Sequence, residues 1–231
     1  MLVFKDTILG LAAGVRLTSN DMLHKGDWIT VKSVDANGIV EDMSLTTVKV
    51  RNFDNTIVTI SPATLVNGSF QNWIGMQKSG GRRVKRIVYF DFRSIRLVDE
   101  TLKQTLLAKH FATEDSFKLK ESLQKAIEKD IQEGKDIEDL KNPAALAPTN
   151  LQLYRRFMEK YLRQRPEVNT ELTLMVRHME ATQCGLPIEF YFFIKDKVWV
   201  NYEHILADIM EHAYALANEF DLKIYEQYPE Q

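Results

Sequence analysis

The chain has 231 residues, 45% hydrophobic and 27% charged, with 30 Lys and Arg against 32 Asp and Glu and a net charge of −2. That composition suits two modest core-forming domains, and it excludes wholesale disorder and any general attraction to nucleic acid or anionic lipid. The single cysteine, Cys184, excludes an intrachain disulfide and a structural zinc site, which fits a reducing, cytosolic setting. The N-terminus shows no secretory signal, and no stretch reaches the roughly 20 apolar residues needed to span a bilayer.

In chain order, Leu2 to Leu17 reads LVFKDTILGLAAGVRL, with only Lys5, Asp6 and Arg16 charged. Helical spacing gathers Gly10, Ala12, Ala13 and Gly14 into a face with almost no side chain, on which helices can pack backbone to backbone; Gly10 and Gly14 form a GxxxG pair. The competing reading is a short amphipathic helix lying on its own domain's core. From Trp28 to about Ile60 the pattern changes to short β-prone runs, a small twisted sheet or partial barrel. Asp27 to Val34 is one strand, Asn37-Gly38 supplies the positive-φ pair of a tight hairpin turn, Leu45 to Phe53 alternates, and Asp54-Asn55 turns the chain into TIVTI at Thr56 to Ile60. Pro62 ends that ladder.

Ser79-Gly80-Gly81 is a flexible joint and marks a domain boundary. Beyond it Val84 to Phe92 is strand-prone, with Val84, Val88, Phe90 and Phe92 on one face broken by Arg86. A helical stretch starts near Asp99. From Asp115 to Glu133 charges dominate over a thin stripe of Leu123, Ile127 and Ile131, and Gly134 stops the helix. Gly134 to Asn150 reads as an exposed connector. Thr149 and Gln152 cap a helix running to about Gln164, where Pro166 ends the segment. Glu171 to Glu180 and Leu186 to Lys195 are neighbouring strands, Val200 to Phe220 is a long amphipathic helix, and Leu222 to Tyr225 is a last short strand. The order strand, helices, strand, strand, helix, strand predicts the split βαβ, ferredoxin-like arrangement with a helical insertion over about 99–165.

Little in the chain invites chemistry. His204, Asp208, Glu211 and His212 share one side of the last helix at metal-ligand spacing, but that side is also the one turned to water, so no metal or other cofactor is expected. Arg82, Arg83, Lys85 and Arg86, with Lys78 nearby, form a basic cluster that could meet phosphate. No stacking aromatic ladder accompanies it, so nucleic acid is not the expected partner. There is no GxSxG elbow, no phosphate-cradling glycine loop and no HExxH, and Cys184 has no evident base, so no catalytic residue and no enzyme is expected.

Leu11 to Val15 (LAAGV), Gly26-Asp27-Trp28-Ile29, Asn37-Gly38-Ile39-Val40, Thr47, Asn55, Ile60-Ser61-Pro62 and Asn72 together resemble the signature of the MscS-like small-conductance mechanosensitive channel family. Thr149-Asn150-Leu151, Leu172 to Arg177 and Gly185 to Glu189 resemble its YbdG branch. The resemblance implies an α+β fold: the end of a pore-lining transmembrane helix over 1–21, a Sm-like β domain over 22–78, and a ferredoxin-like α/β vestibule domain over 83–231. It also implies a homo-oligomer of seven subunits in a bacterial inner membrane, with this part facing the cytoplasm, opened by bilayer tension to release ions and small solutes on hypoosmotic shock. Gly10, Ala12, Ala13 and Gly14 would pack neighbouring pore helices, and Leu2 would lie near the apolar constriction, which blocks ions by dewetting. The family's upstream membrane helices are missing here, so the chain is expected to be a soluble fragment of a longer protein. Only a few residues follow the last strand, where the prototype adds a strand for a small barrel at the vestibule floor. The alternative from another class is a soluble Sm-like RNA-binding or adaptor protein; an enzyme on the ferredoxin-like half would rest on fold analogy alone.

Overall fold

Two units, Met1–Ser79 and Gly80–Gln231, make up the chain in a computed structural model that describes residues 5–118 and 147–227, together with Lys125, Lys129 and Gln132. Each combines helices with an antiparallel sheet around its own hydrophobic core.

The first unit begins with α1 (Lys5–Ser19), whose end is fixed by Asp21 in the left-handed region at φ 56°. The Asp21 amide donates to Thr18 O and the Met22 amide to Leu17 O, the pattern that satisfies the last carbonyls of a helix. Then come β1 (Trp28–Val31), β2 (Ala36–Met43), β3 (Val48–Asn52) and β4 (Ile57–Ile60), the short α2 (Pro62–Asn67), β5 (Gln71–Asn72) and α3 (Ile74–Lys78). The sheet order is β4-β3-β2-β1-β5. Alternation sends Ile29, Val31, Val40, Val48 and Val50 inward, where they meet Leu17 of α1 and Leu65 of α2.

One turn differs from the sequence expectation. Asn37 and Gly38 lie inside β2, opposite Thr30 and Ile29, and the chain reverses earlier, through a 3-10 turn at Lys32–Val34 and Asp35 at φ 51°. The glycine answers a different need: a Cβ on Gly38 would overlap the Arg51 carbonyl of β3. Asn37 serves as an acceptor, its Oδ1 taking the Trp28 indole N–H at 2.9 Å and the Thr30 hydroxyl at 3.0 Å. The Asn55 turn (φ 69°) lies where the sequence puts it.

The second unit runs β6 (Arg82–Phe90), α4 (Glu100–Ala108), α5 (Glu114–Phe117), α6 (Asn150–Gln164), β7 (Met175–His178), β8 (Leu186–Ile194) and α7 (Trp199–Ala217). Its sheet order is β6-β8-β7, all antiparallel, and Ile224 adds a single bridge beside Phe90 where a last strand is expected. Asp99 caps α4 by accepting the Leu102 amide at 2.8 Å, and Thr149 caps α6 by accepting the Gln152 amide at 3.1 Å. Phe92 falls in a 3-10 turn beyond β6 and is 48% exposed, so it does not join the core face. The helix expected from Asp115 is interrupted at Lys118, which is extended. The stripe of Leu123, Ile127 and Ile131, the stop at Gly134 and the first part of the connector lie outside the described residues.

Tyr154, Met158 and Leu162 of α6, Leu206, Ile209 and Ala213 of α7, and Val88, Phe190 and Phe192 of the sheet form one core. The free edge of β7 is closed by α6: Glu159 Oε1 accepts the Val176 amide at 2.9 Å and Arg155 donates to the Val176 carbonyl at 3.2 Å. Edge strands left open are templates for pairing with other chains, and these two side chains occupy that edge at Val176. At the far end Asn150, fully buried, ties three segments together. Its Nδ2 donates to Ser94 O (2.9 Å) and Phe220 O (3.0 Å) while its Oδ1 accepts the Arg96 and Leu151 amides.

Candidate functional site

Leucine and alanine favour α1, but Gly10 and Gly14 each cost about 1 kcal/mol against alanine inside a helix. Packing explains Gly14. The backbone of Leu45, in the β2–β3 turn, lies so close that a Cβ on Gly14 would overlap the Leu45 carbonyl. Ala13 (8% exposed) and Leu17 (0%) point to the same side, and the Thr18 hydroxyl donates back to Gly14 O at 3.0 Å. Full burial of Leu17 contributes about 1.5–3 kcal/mol, so the C-terminal half of α1 is fastened to the sheet beneath it.

The opposite side of α1 is open. Ala12 is exposed, and Ile8 (63%), Leu11 (44%) and Val15 (50%), three and four residues apart, form an apolar stripe beside it. Gly10, one turn before Gly14 on the packed side, has no atom within 4 Å of where its Cβ would be. Of the four small residues singled out by sequence, Ala13 and Gly14 pack within their own unit, Ala12 is exposed, and Gly10 lies one turn before Gly14 with nothing against it. Leu2 lies outside the described residues. Such a stripe has no group for acid–base or metal chemistry; what it can do is exclude water against another apolar surface.

The link from α1 to the sheet is rigid. Asp27, 6% exposed, accepts the His24 amide at 3.1 Å and the Asn72 side-chain N–H at 2.8 Å through Oδ2, so one carboxylate ties the α1–β1 loop to β5. Trp28 stacks on Trp73 with ring centroids 4.7 Å apart, and the Trp73 indole N–H donates to Thr30 Oγ1 at 3.0 Å. No spacing in the sequence signals that Asp27 and Asn72 meet. The aspartate between a glycine and a tryptophan, and a polar residue in an otherwise apolar ladder, are the only hints.

The other candidates resolve as follows. His204, Asp208, Glu211 and His212 are all exposed on α7, and no set of three or more potential ligands gathers among the described residues. His212 instead bonds the Asp208 carbonyl at 2.8 Å and stacks on Tyr161. The basic cluster is split by strand alternation. Arg82 packs over the Tyr202 ring at 4.3 Å, while Arg83 and Lys85 emerge on the opposite sheet face. There the sequence reading needs correction, because an aromatic pair does accompany the cations: Tyr191 and Phe193 stand on the neighbouring strand β8, opposite Lys85 and Arg83. Pairing between strands distant in sequence is what hid it.

Asp91, beside a cavity of about 1,090 Å³ also lined by Arg93, Arg96 and Asp221, is held well below the usual carboxylate range, at about 2. The cause is hydrogen bonding from the Arg93 side chain and amide. Arg96 bridges Asp99 and Asp221 in the same cavity. Asp91 with Arg93, and Arg96 with Asp99 and Asp221, satisfy one another there.

Comparison with known proteins gives this geometry a family. Residues 6–75 match the model of the mechanosensitive ion channel β-domain. Over 71 residues the chain is 32% identical to the small-conductance mechanosensitive channel MscMJ of Methanocaldococcus jannaschii, a match covering 31% of this chain and 20% of that protein. Over 88 residues it is 33% identical to an uncharacterized MscS family protein of Aquifex aeolicus, covering 38% of this chain and 23% of that one. In fold, 98% of the chain superposes on 61% of Arabidopsis thaliana MSL1 (TM-score 0.62, 10% identity). All of it superposes on 66% of Helicobacter pylori MscS in its closed state (TM-score 0.58, 12% identity). The β-domain match takes in α1 and the five-stranded sheet of the first unit. Through this first unit the chain is similar to MscS-like mechanosensitive channels, and it spans less than two thirds of the length of these relatives.

Proposed function

We infer that this chain is the cytosolic portion of a tension-gated channel that passes ions and small solutes on hypoosmotic shock, and that it works as a ring of seven copies. The observation that carries the reading is the two-sided α1. One side is welded to the sheet through Ala13, Gly14 and Leu17, with Gly10 standing clear one turn earlier, and the other offers Ile8, Leu11 and Val15 beside Ala12. Apolar, small-residue faces of this kind suit helix-on-helix packing around a shared axis. No helix among the described residues is long and apolar enough to cross a membrane. The reading therefore places the spanning helices upstream in a longer protein, puts Leu2 near the apolar constriction, and sets this part on the cytoplasmic side of the inner membrane.

On this reading the five-stranded sheet is a Sm-like domain and the second unit a ferredoxin-like wall of the vestibule. The strand order supports the latter, since the Ile224 bridge extends β6-β8-β7 to the four-position order of a split βαβ unit, with α4 to α6 in its first crossover. Conduction through such a ring needs no catalytic residue and no cofactor. Recording from membrane patches that hold the longer protein tests the proposal: suction should evoke discrete current steps, and a protein present in the patch but silent under lytic tension would contradict it.

A further inference from the structure

Strand alternation gives the second unit's sheet two unlike faces. Val84, Val88, Phe190 and Phe192 turn toward α6 and α7 and form the core. On the opposite face Tyr191 and Phe193 are half-buried yet belong to no hydrophobic cluster among the described residues, and their rings lie 5.9 Å apart, edge to face. Each aromatic has a cation as its cross-strand neighbour: Arg83 pairs with Phe193 and Lys85 with Tyr191. The Arg83 guanidinium also lies 6.0 Å from the Tyr191 ring centroid. On β7, Arg177 stands opposite Glu189 and donates to its Oε2 through Nε and Nη2, both at 2.7 Å.

Glu189 is fully buried, and its second oxygen, Oε1, has no hydrogen-bond partner and lies 3.6 Å from Lys85 Nζ. One carboxylate thus fixes two long cationic side chains, each half exposed, and three positive charges on this face stand against one negative.

We propose that this face binds single-stranded nucleic acid, with bases stacking on Tyr191 and Phe193 and phosphates held by Arg83, Lys85 and Arg177. The inference goes beyond the channel reading and does not rest on it. Charge complementarity selects the occupant. An apolar protein surface would bury Arg83 and Lys85 without partners, at a cost it could not recover. A duplex would offer phosphates but keep its bases stacked on each other, leaving the aromatic rings unused. A free mononucleotide needs a concave site, and the cavities found among the described residues of this unit, around Asp91, His110 and Thr105, lie away from this face. A flat sheet face carrying stacking rings and flanking cations is how single strands are held without sequence preference. Same-face residues recur about every 6.7 Å along a strand, so Arg83 and Lys85 can each meet a separate phosphate.

The test is fluorescence anisotropy of a labelled twelve-nucleotide oligo(dT) titrated with the whole chain at several salt concentrations. Saturable binding is expected, weakening with salt at a log–log slope of about −2 for three phosphate contacts to a single strand. Y191L and F193L, which keep apolar bulk but lose the flat ring, should each weaken it by about fivefold or more. R83Q/K85Q should weaken it at least tenfold, while R82Q/R86Q, drawn from the same basic run of sequence, should change it less than twofold. The inference is overturned by any of these results: no binding at low salt, equal loss in the R82Q/R86Q variant, indifference to both leucine variants in proteins with unchanged circular dichroism, or competition by UMP or duplex DNA as effective as by the oligonucleotide.

Discussion

Gly14 of α1 rests directly on the backbone of Leu45, at a separation that leaves no room for a Cβ. Gly10, one turn earlier, faces open space. The two members of one GxxxG pair therefore respond in opposite ways to the same substitution. Gly14→Ala must displace backbone rather than a side chain and should cost about 1–3 kcal/mol, lowering the melting temperature of the first unit. Gly10→Ala meets nothing and should leave stability unchanged or raise it by about 0.5–1 kcal/mol. Thermal melts of the two variants, followed by tryptophan fluorescence from Trp28 and Trp73, distinguish them.

Asn150 satisfies two carbonyls and two amides from inside the second unit, with no solvent contact. Asn150→Ala leaves all four groups with a lost partner and should cost about 3 kcal/mol, measured by chemical denaturation. Asn150→Asp keeps the shape but sets a carboxylate oxygen against the Ser94 and Phe220 carbonyls, so it should fail to rescue.

The β7 edge depends on Glu159. Glu159→Ala removes the acceptor of the Val176 amide and should cost about 1 kcal/mol globally. Its more specific effect is local: exchange of the Val176 amide with deuterium should accelerate more than that of Val84 or Phe192 in the strands beyond it.

Acid should find Asp91 still ionised where most carboxylates are protonated. Its folded value, about 2, lies below the usual aspartate value of 3.8 because of the Arg93 hydrogen bonds. A depressed carboxylate stabilises the fold above its unfolded value and loses that contribution as pH falls through the folded one. The stability difference between wild type and Asp91→Asn should therefore be constant above about pH 4 and fade between roughly pH 4 and 2. A carboxyl chemical-shift titration of Asp91 centred near 3.8 would contradict the Arg93 contact.

Much of the fold was legible because the signals were local. The caps at Asp99 and Thr149, the Asn55 turn and the apolar spacing of α7 all act within a few residues of themselves, where sequence neighbours decide the outcome. Asn37-Gly38 misled because a glycine can be required by a close neighbouring strand as well as by a turn, and only the register opposite Asn52, which brings the Arg51 carbonyl against Gly38, tells which. The candidate site was half legible for the same reason. Composition marked Gly10, Ala12, Ala13 and Gly14, but Leu45, 31 positions beyond Gly14, decides which of them are already occupied. The aromatic pair on β8 was invisible beside Arg83 and Lys85 because their strands lie more than a hundred residues apart.

The account stands or falls on conduction under tension. The most direct measurement is single-channel recording from giant bacterial spheroplasts lacking their own small-conductance channels and expressing the longer protein that contains this chain. The account predicts current steps that appear with suction, disappear on its release, and shift in threshold when Leu11 and Val15 on the open side of α1 are changed to serine. A protein that reaches the membrane in normal amount and gives no current up to the tension that ruptures the patch would contradict it.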